Sequence, residues 1–341
     1  LLTVLLLLLV RRITAVMSTP AEAVDGTVRY LTICFLGIPF ITAYNILSSI
    51  FRGMGDSRSP MLFIAVACVL NILLDLLFMG PMQLGAAGAA LATVVAQAAS
   101  VAFALVGIRK TKTFNKNARA DRSAWWDPAM LHQILGIGLP IACQDGFIQI
   151  SFLIITVIAN RRGVNISAAV GIVEKTISFL FLVPSSMLST VSTIAAQSIG
   201  AGDPARARQT LRYGVGLASG IGLLFAILFQ FISAPFFTLF TKDPVVQALA
   251  VQYMCTYVLD CVVAGIHFPF SGFFSASGLS ILSFIHNLCS VILIRIPGAW
   301  LATKLFPDTL YAMGLAAPAG SLLSALICIA FYLALRRKGR V

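Results

Sequence analysis

Long stretches of this chain carry no charge, and that limits its fold more than any other feature. Tyr213 to Thr241 contains no Asp, Glu, Lys or Arg; Pro60 to Gly80 contains only Asp75, and Pro128 to Asn160 only Asp145. A helix needs about 20 consecutive apolar residues to cross the hydrocarbon of a bilayer. These runs meet or exceed that length. Only 11% of the 341 residues are charged and 59% are hydrophobic, whereas a soluble domain carries about 25% charged residues. The expected fold class is all-α, a polytopic transmembrane helix bundle with the lipid bilayer as its first partner.

Ten membrane segments can be drawn: Leu1–Met17, Thr27–Phe51, Pro60–Met79, Leu84–Ile108, Leu131–Ala159, Ile166–Ile199, Tyr213–Phe240, Val245–Phe274, Ser280–Leu301 and Leu310–Leu335. The first follows no polar leader, has no small-residue cleavage site and runs into Arg11 and Arg12. It reads as the tail of a helix that begins outside this sequence rather than as a signal peptide.

The formal net charge of +12 does not point to nucleic acid, because the basic residues crowd into short loops and the tail, where they act as orientation signals. One side of the alternating topology collects Arg52 and Arg58, the linker residues Arg109, Lys110, Lys112, Lys116, Arg119 and Arg122, then Arg206, Arg208 and Arg212, and finally Arg336, Arg337, Lys338 and Arg340. That is fifteen of the 24 basic residues. This places the linker and the C-terminus in the cytoplasm, in a multi-pass protein of the plasma (inner) membrane. Arg11–Arg12 and Arg161–Arg162 run against the bias. The seven cysteines all lie in apolar segments without a C-x-x-C pair and read as small buried side chains.

The basic linker 109–127 is the long polar stretch, and it separates an N-terminal lobe of about four helices (1–108) from a C-terminal lobe of six (128–341). The halves echo one another. Tyr30 precedes a helix ending in Phe51-Arg-Gly-Met-Gly55, and Tyr253 one ending in Phe274-Ser-Ala-Ser-Gly278, an offset of 223 residues at both ends. Gly85-Ala-Ala-Gly88 is likewise echoed by Gly314-Leu-Ala-Ala317. Two pseudo-symmetric lobes are an architecture of secondary transporters, with the substrate path at the repeat interface.

Four acids sit inside membrane segments: Asp75, Asp145, Glu174 and Asp260. A charge at mid-bilayer costs at least about 2.5–3.5 kcal/mol and is a functional candidate by default. Asn71 and Asp75 lie four residues apart on one helical face, and Thr93 and Gln97 do so on the next helix. Counted from Met82 in the intervening turn, Asn71 and Thr93 are each eleven residues away, roughly 16 Å into the membrane. Carboxylate, amide and hydroxyl at one depth suit Na⁺ or a proton, and Asn71, Asp75, Thr93 and Gln97 form the candidate coupling site. Interhelical hydrogen bonding alone is the competing explanation. In the second half, Asp145 and Gln149 share a face, Glu174 precedes a neutralising Lys175, and Asp260 and His267 lie two turns apart, with Arg295 available as a counter-charge. Asp145, Gln149, Glu174, Asp260, His267 and Arg295 are the candidates for a substrate cavity or a second ion site.

Several of these motifs, taken in order, resemble the multidrug and toxic compound extrusion (MATE) transporters, the DinF-like branch in particular. They are Phe51-Arg-Gly-Met-Gly-Asp-Ser-Arg-Ser-Pro60, Asn71-Ile-Leu-Leu-Asp75, Gly88-Ala-Ala-Leu-Ala-Thr93-Val-Val-Ala-Gln97, Gly138-Leu-Pro140 and Ala195-Ala-Gln-Ser-Ile-Gly-Ala-Gly-Asp-Pro204-Ala-Arg-Ala-Arg208. The resemblance implies twelve helices in two six-helix lobes. It also implies a monomer that exports organic cations or other small amphiphiles by antiport against H⁺ or Na⁺, with no cofactor. About ten of the twelve helices would be present, beginning within the third. Asn71, Asp75 and Thr93 match members of the family's first-lobe site, whose first-helix Asp is not in this sequence. The second-lobe carboxylates of another branch fall within about a turn of Asp145 and Asp260 without coinciding.

Two alternatives are a lipid-linked-oligosaccharide flippase of the same broad superfamily, which needs a basic cavity, and a fragment that does not transport. An enzyme is disfavoured. No H-E-x-x-H, G-x-S-x-G or phosphate-cradling loop occurs, and His132, His267 and His286 are too dispersed for a metal motif. Gly200-Ala-Gly-Asp203 is explained as a helix junction.

Overall fold

The computed structural model describes residues 2–16, 24–110 and 127–338, and among these the regular structure is helical throughout. The chain divides into two compact units, Leu1–Trp125 and Trp126–Val341. Of the basic linker residues, Lys112, Lys116, Arg119 and Arg122 lie outside the described residues, as does Arg340.

The first unit contains α1 (Leu2–Val16), α2 (Val24–Gly53), α3 (Arg58–Met79) and α4 (Gly85–Lys110). α4 packs against both α2 and α3, and α1 leans on α2. The α2–α3 turn is organised by Asp56. Its Oδ1 accepts from the backbone N–H groups of Arg58 and Ser59, both at 3.1 Å, and its Oδ2 accepts from the Ser59 hydroxyl at 2.6 Å. The Ser59 hydroxyl and backbone N–H hold the Asp56 carboxyl below the usual carboxylate range. The α3–α4 hairpin closes through Gln83 and Gly85, at φ 49° and 55°. Such a left-handed conformation comes readily only to glycine and, less so, to polar residues.

The second unit runs α5 (Pro128–Asn160), α6 (Val164–Leu180), α7 (Leu182–Gly200), α8 (Pro204–Phe237), α9 (Pro244–Tyr257), α10 (Asp260–Ala276), α11 (Ser280–Ser290), a π-helical turn (Val291–Arg295), α12 (Ile296–Leu305) and α13 (Tyr311–Arg337). Three of these helices start at an Asp-Pro pair. Asp127, Asp203 and Asp243 each accept hydrogen bonds from backbone N–H groups of the first turn, and Pro128, Pro204 and Pro244 follow them at a position that needs no N–H.

Among the described residues, eight helices are long and apolar enough to cross a membrane, or nine if the bent pair α9–α10 is one span. The ten segments expected from hydropathy correspond to observed helices, with interruptions inside segments six, eight and nine. Segment one is described as α1, Leu2–Val16. Segment six restarts at Phe181 between α6 and α7. Segment eight is not one straight helix but bends by 42° between Tyr257 and Asp260. At that bend Leu259, Cys261 and Val262 donate to carbonyls three residues back, a tighter winding than the α-helix allows over a long run. Segment nine carries the opposite irregularity, the wider π turn at Val291–Arg295, within a single span Ser280–Leu305.

The core of the second unit is packed by aromatic residues, among them Phe237, Tyr253 and Tyr257 in one cluster and Phe270, Phe273 and Phe274 in another. α10 is gripped by α7 and α8 at glycine contacts, because close helix approach in a membrane requires small residues. A Cβ placed on Gly265 would fall 2.5 Å from the Ser219 nitrogen and 2.7 Å from the Ala218 carbonyl carbon. Gly265→Ala is therefore expected to destabilise the second unit by about 1–3 kcal/mol through overpacking. Gly220→Ala, with nothing within 4 Å, stays within about 0.5 kcal/mol. Thermal unfolding in detergent compares the two, and equal midpoints would refute the close-contact explanation.

Arg162, which ran against the basic bias, has a structural use. Its Nη2 donates to the carbonyls of Phe306 and Thr309 at 3.5 and 3.4 Å and also to that of Pro307. One guanidinium thereby ties the end of α5 to the α12–α13 loop.

Candidate functional site

In the first unit α3 and α4 pack side by side, so residues at equal distances from their shared turn face each other. The Asn71 side-chain amide donates to Thr93 Oγ1 at 3.4 Å, and the Thr93 hydroxyl donates to the Ala89 carbonyl at 3.0 Å. One turn along α3, Asp75 is half-buried, and its Oδ1 has no hydrogen-bond partner among the described residues. Gln97 is half-buried one turn along α4. A buried carboxylate oxygen without a donor costs about 1–3 kcal/mol or more. A proton or a small cation removes that cost, and the Asn71 and Thr93 oxygens are further hard ligands for one. α2 adds a polar face of its own, where Thr42, Asn45 and Ser49 line a cleft of about 570 Å³. Their i, i+3, i+7 spacing was a legible signal that attention to acids alone overlooks.

The second unit buries a charged cluster at its centre. Arg295, in the π turn, is only 8% exposed. Its Nη2 donates to Tyr257 Oη at 2.8 Å, its guanidinium stacks 4.7 Å from the Phe152 ring centroid, and its Nε has no partner among the described residues. Glu174 on α6 accepts from the Thr156 hydroxyl at 3.2 Å through Oε2, while Oε1 is buried with no partner among the described residues. Asp260 is fully buried; the Ser321 hydroxyl lies beside it, but neither carboxylate oxygen has a well-formed hydrogen bond among the described residues. Both acids lie within electrostatic reach of Arg295. The expected neutralisation of Glu174 by Lys175 is thus corrected. Adjacent helical residues point about 100° apart, and Lys175 is exposed while Glu174 turns inward.

Two carboxyls and one guanidinium leave a single negative charge if all are ionised. A proton or monovalent cation restores neutrality in a region where an unpaired charge is costly.

Asp260 and His267 both lie on α10, two turns apart as expected, and each has its own neighbours. Asp260 opens α10 at the bend, while His267 packs edge-on against His286 at 5.8 Å. His286 is held between the Ser271 hydroxyl at 2.8 Å and the Ser324 hydroxyl at 2.6 Å, a hydrogen-bonded chain joining α10, α11 and α13. Asp145 and Gln149 lie on an exposed face of α5, and it is Gln144 that turns inward. Thr156, Tyr257 and His286 were the members missed from sequence. Only the i, i+4 spacing of Tyr253 and Tyr257 offered a signal.

The MatE family profile matches residues 1–77 and 140–301, more than half of the chain. The chain belongs to the MatE family. Among relatives of this MatE chain, the probable multidrug resistance protein YpnP of Bacillus subtilis is 28% identical over 293 residues, covering 84% of this chain and 65% of YpnP. The DNA damage-inducible protein F of Escherichia coli is 26% identical over 236 residues, covering 69% of this chain and 51% of that protein. The expected family is therefore the observed one, and the expected branch is represented among its relatives. The MatE chain spans less than two thirds of the length of either protein. In three dimensions it superposes on a mutant of the Vibrio cholerae MATE transporter VcmN with a TM-score of 0.90 at 18% identity, covering 98% of this chain and 75% of that one. At that identity the likeness establishes the fold alone.

Proposed function

We propose that the complete protein is a secondary transporter that exports organic cations or other amphiphiles, as a monomer of the inner membrane, by antiport against H⁺ or Na⁺. The observation that carries this is Asp75, a carboxyl with a buried, unpartnered oxygen beside the Asn71–Thr93 pair, in a run with no other charge. Such a group must take up a cation or proton when the site is closed to water and release it when the site opens, and that exchange is the elementary event of coupling. The Glu174–Asp260–Arg295 cluster is a second candidate for the same exchange. The bias of basic residues supports a cytoplasmic linker and C-terminus.

Flipping of a lipid-linked sugar is less well supported. The buried cation of the second unit is already engaged by Tyr257 and Phe152, and Lys175 is exposed.

Export by the full-length protein in proteoliposomes, driven separately by a Na⁺ gradient and by a pH gradient, tests the proposal. Efflux of a fluorescent organic cation is expected to follow one gradient and to stop when that gradient is dissipated. Efflux indifferent to both would defeat antiport, and scrambling of labelled lipid without drug efflux would favour the flippase.

A further inference from the structure

The second unit carries a concentration of positive charge that export does not use. α8 opens with Arg206, Arg208 and Arg212, and α13 closes with Arg336 and Arg337. Both helices pack on α10, and their ends border a cleft of about 490 Å³ lined by Ala205, Arg208, Gln209, Arg212, Tyr213 and Arg336. Among the described residues, no acid lines it. The nearest acid along the chain, Asp203, is occupied as the N-cap of α8, accepting from the Arg206 N–H at 3.0 Å. Three guanidinium groups therefore share one cavity without a carboxylate in its wall.

Its depth in the membrane follows from the neighbouring residues. Arg212 is the last charge before the uncharged run Tyr213–Thr241, and Arg336 is the first after the uncharged run Thr309–Leu335. Two helices thus become charged at a common level, where hydrocarbon gives way to headgroups. Tyr213 is exposed, and its hydroxyl accepts from the Gln209 side chain at 3.2 Å. It holds the place that amphipathic aromatic residues take at a membrane interface. The abundant anion at that level is phosphate, whose oxygens match the guanidinium fork two at a time.

We propose that this cleft binds the phosphate group of an anionic phospholipid, with Arg208, Arg212 and Arg336 around it and Tyr213 beside the glycerol. The site depends on the chain being a membrane protein and is independent of what it exports. A zwitterionic lipid brings its own ammonium group next to the phosphate and is bound less well.

The test uses the whole chain, delipidated in mild detergent and titrated with phosphatidylglycerol, with bound lipid counted by native mass spectrometry. Replacing one of the three arginines with glutamine is expected to weaken phosphatidylglycerol binding about fivefold, and the triple variant roughly a hundredfold. Phosphatidylcholine binding is expected to stay the same in every variant. Lys242→Gln removes a charge beyond the far end of α8 and is expected to leave phosphatidylglycerol binding unchanged. Should the triple variant fail to fold by circular dichroism, the single variants decide. Wild-type affinity in folded variants would overturn the proposal. So would displacement of phosphatidylglycerol by inorganic phosphate at equal concentration, which would assign the cleft to a soluble anion instead.

Discussion

Asp75→Asn in the complete transporter is expected to lower gradient-driven export by about tenfold or more. A coupling free energy between two sites is typically about 1–3 kcal/mol, or roughly 5- to 150-fold, and asparagine removes the group through which the ion would act. The substitution keeps the shape of the side chain and removes a charge that lacks a partner at Oδ1. Folding should therefore be preserved or slightly improved, and the loss should be specific to coupling. Thr93→Ala is expected to act in the same direction and more weakly, since it deprives Asn71 of its 3.4 Å acceptor and leaves the carboxyl in place. The measurement is efflux against an imposed ion gradient, with protein quantity and thermal stability checked in parallel. Undiminished, ion-dependent export by Asp75→Asn would remove the first-unit site from the mechanism.

The largest effect on stability is expected at Arg295. Arg295→Ala would leave Glu174 and Asp260 without the positive neighbour they share, and breaking a buried charge group by removing one partner typically costs about 3–5 kcal/mol. It also vacates the space beside Phe152 and Tyr257. Tyr257→Phe removes a single hydrogen bond to a charged group and is expected to cost about 1.5–3 kcal/mol. If charge balance is what matters, Asp260→Asn combined with Arg295→Ala should be more stable than Arg295→Ala alone, a non-additivity that a double-mutant cycle reads directly. Thermal or denaturant unfolding of the purified chain supplies the numbers. A loss below about 0.5 kcal/mol in Arg295→Ala would show that the cluster is not held by its cation.

Most of the helices were legible because lipid imposes a length and a composition that few other environments do. Their starts were less so. Hydropathy finds only the part of a helix that lies in hydrocarbon, which is why segments drawn from Leu131 and Tyr213 really begin at Pro128 and Pro204. The Asp-Pro pairs before those positions carried the missing information in the language of helix caps. The meeting of Asn71 with Thr93 could be read because a short turn makes depth a matter of counting. The partners of Glu174, Asp260 and Arg295 could not. They lie on α6, on α10 and in the π turn, and no local count relates segments so far apart in the chain. The bend falls before Asp260, so Asp260 and His267 keep their two-turn spacing on α10, but that spacing could not show that Arg295 and His286 are their respective neighbours.

The swollen turn at Val291–Arg295 has one more consequence. One additional residue in a helix swivels everything beyond it by about 100°, and a π turn confines that swivel to a single loop of backbone. Arg295 is thereby aimed at the buried Tyr257 hydroxyl, while a turn later Trp300 stands half out of the protein with the Lys304 ammonium 4.0 Å above its ring. One short stretch of chain thus faces two ways, inward to a charge held in the dark and outward to an aromatic anchor against the lipid.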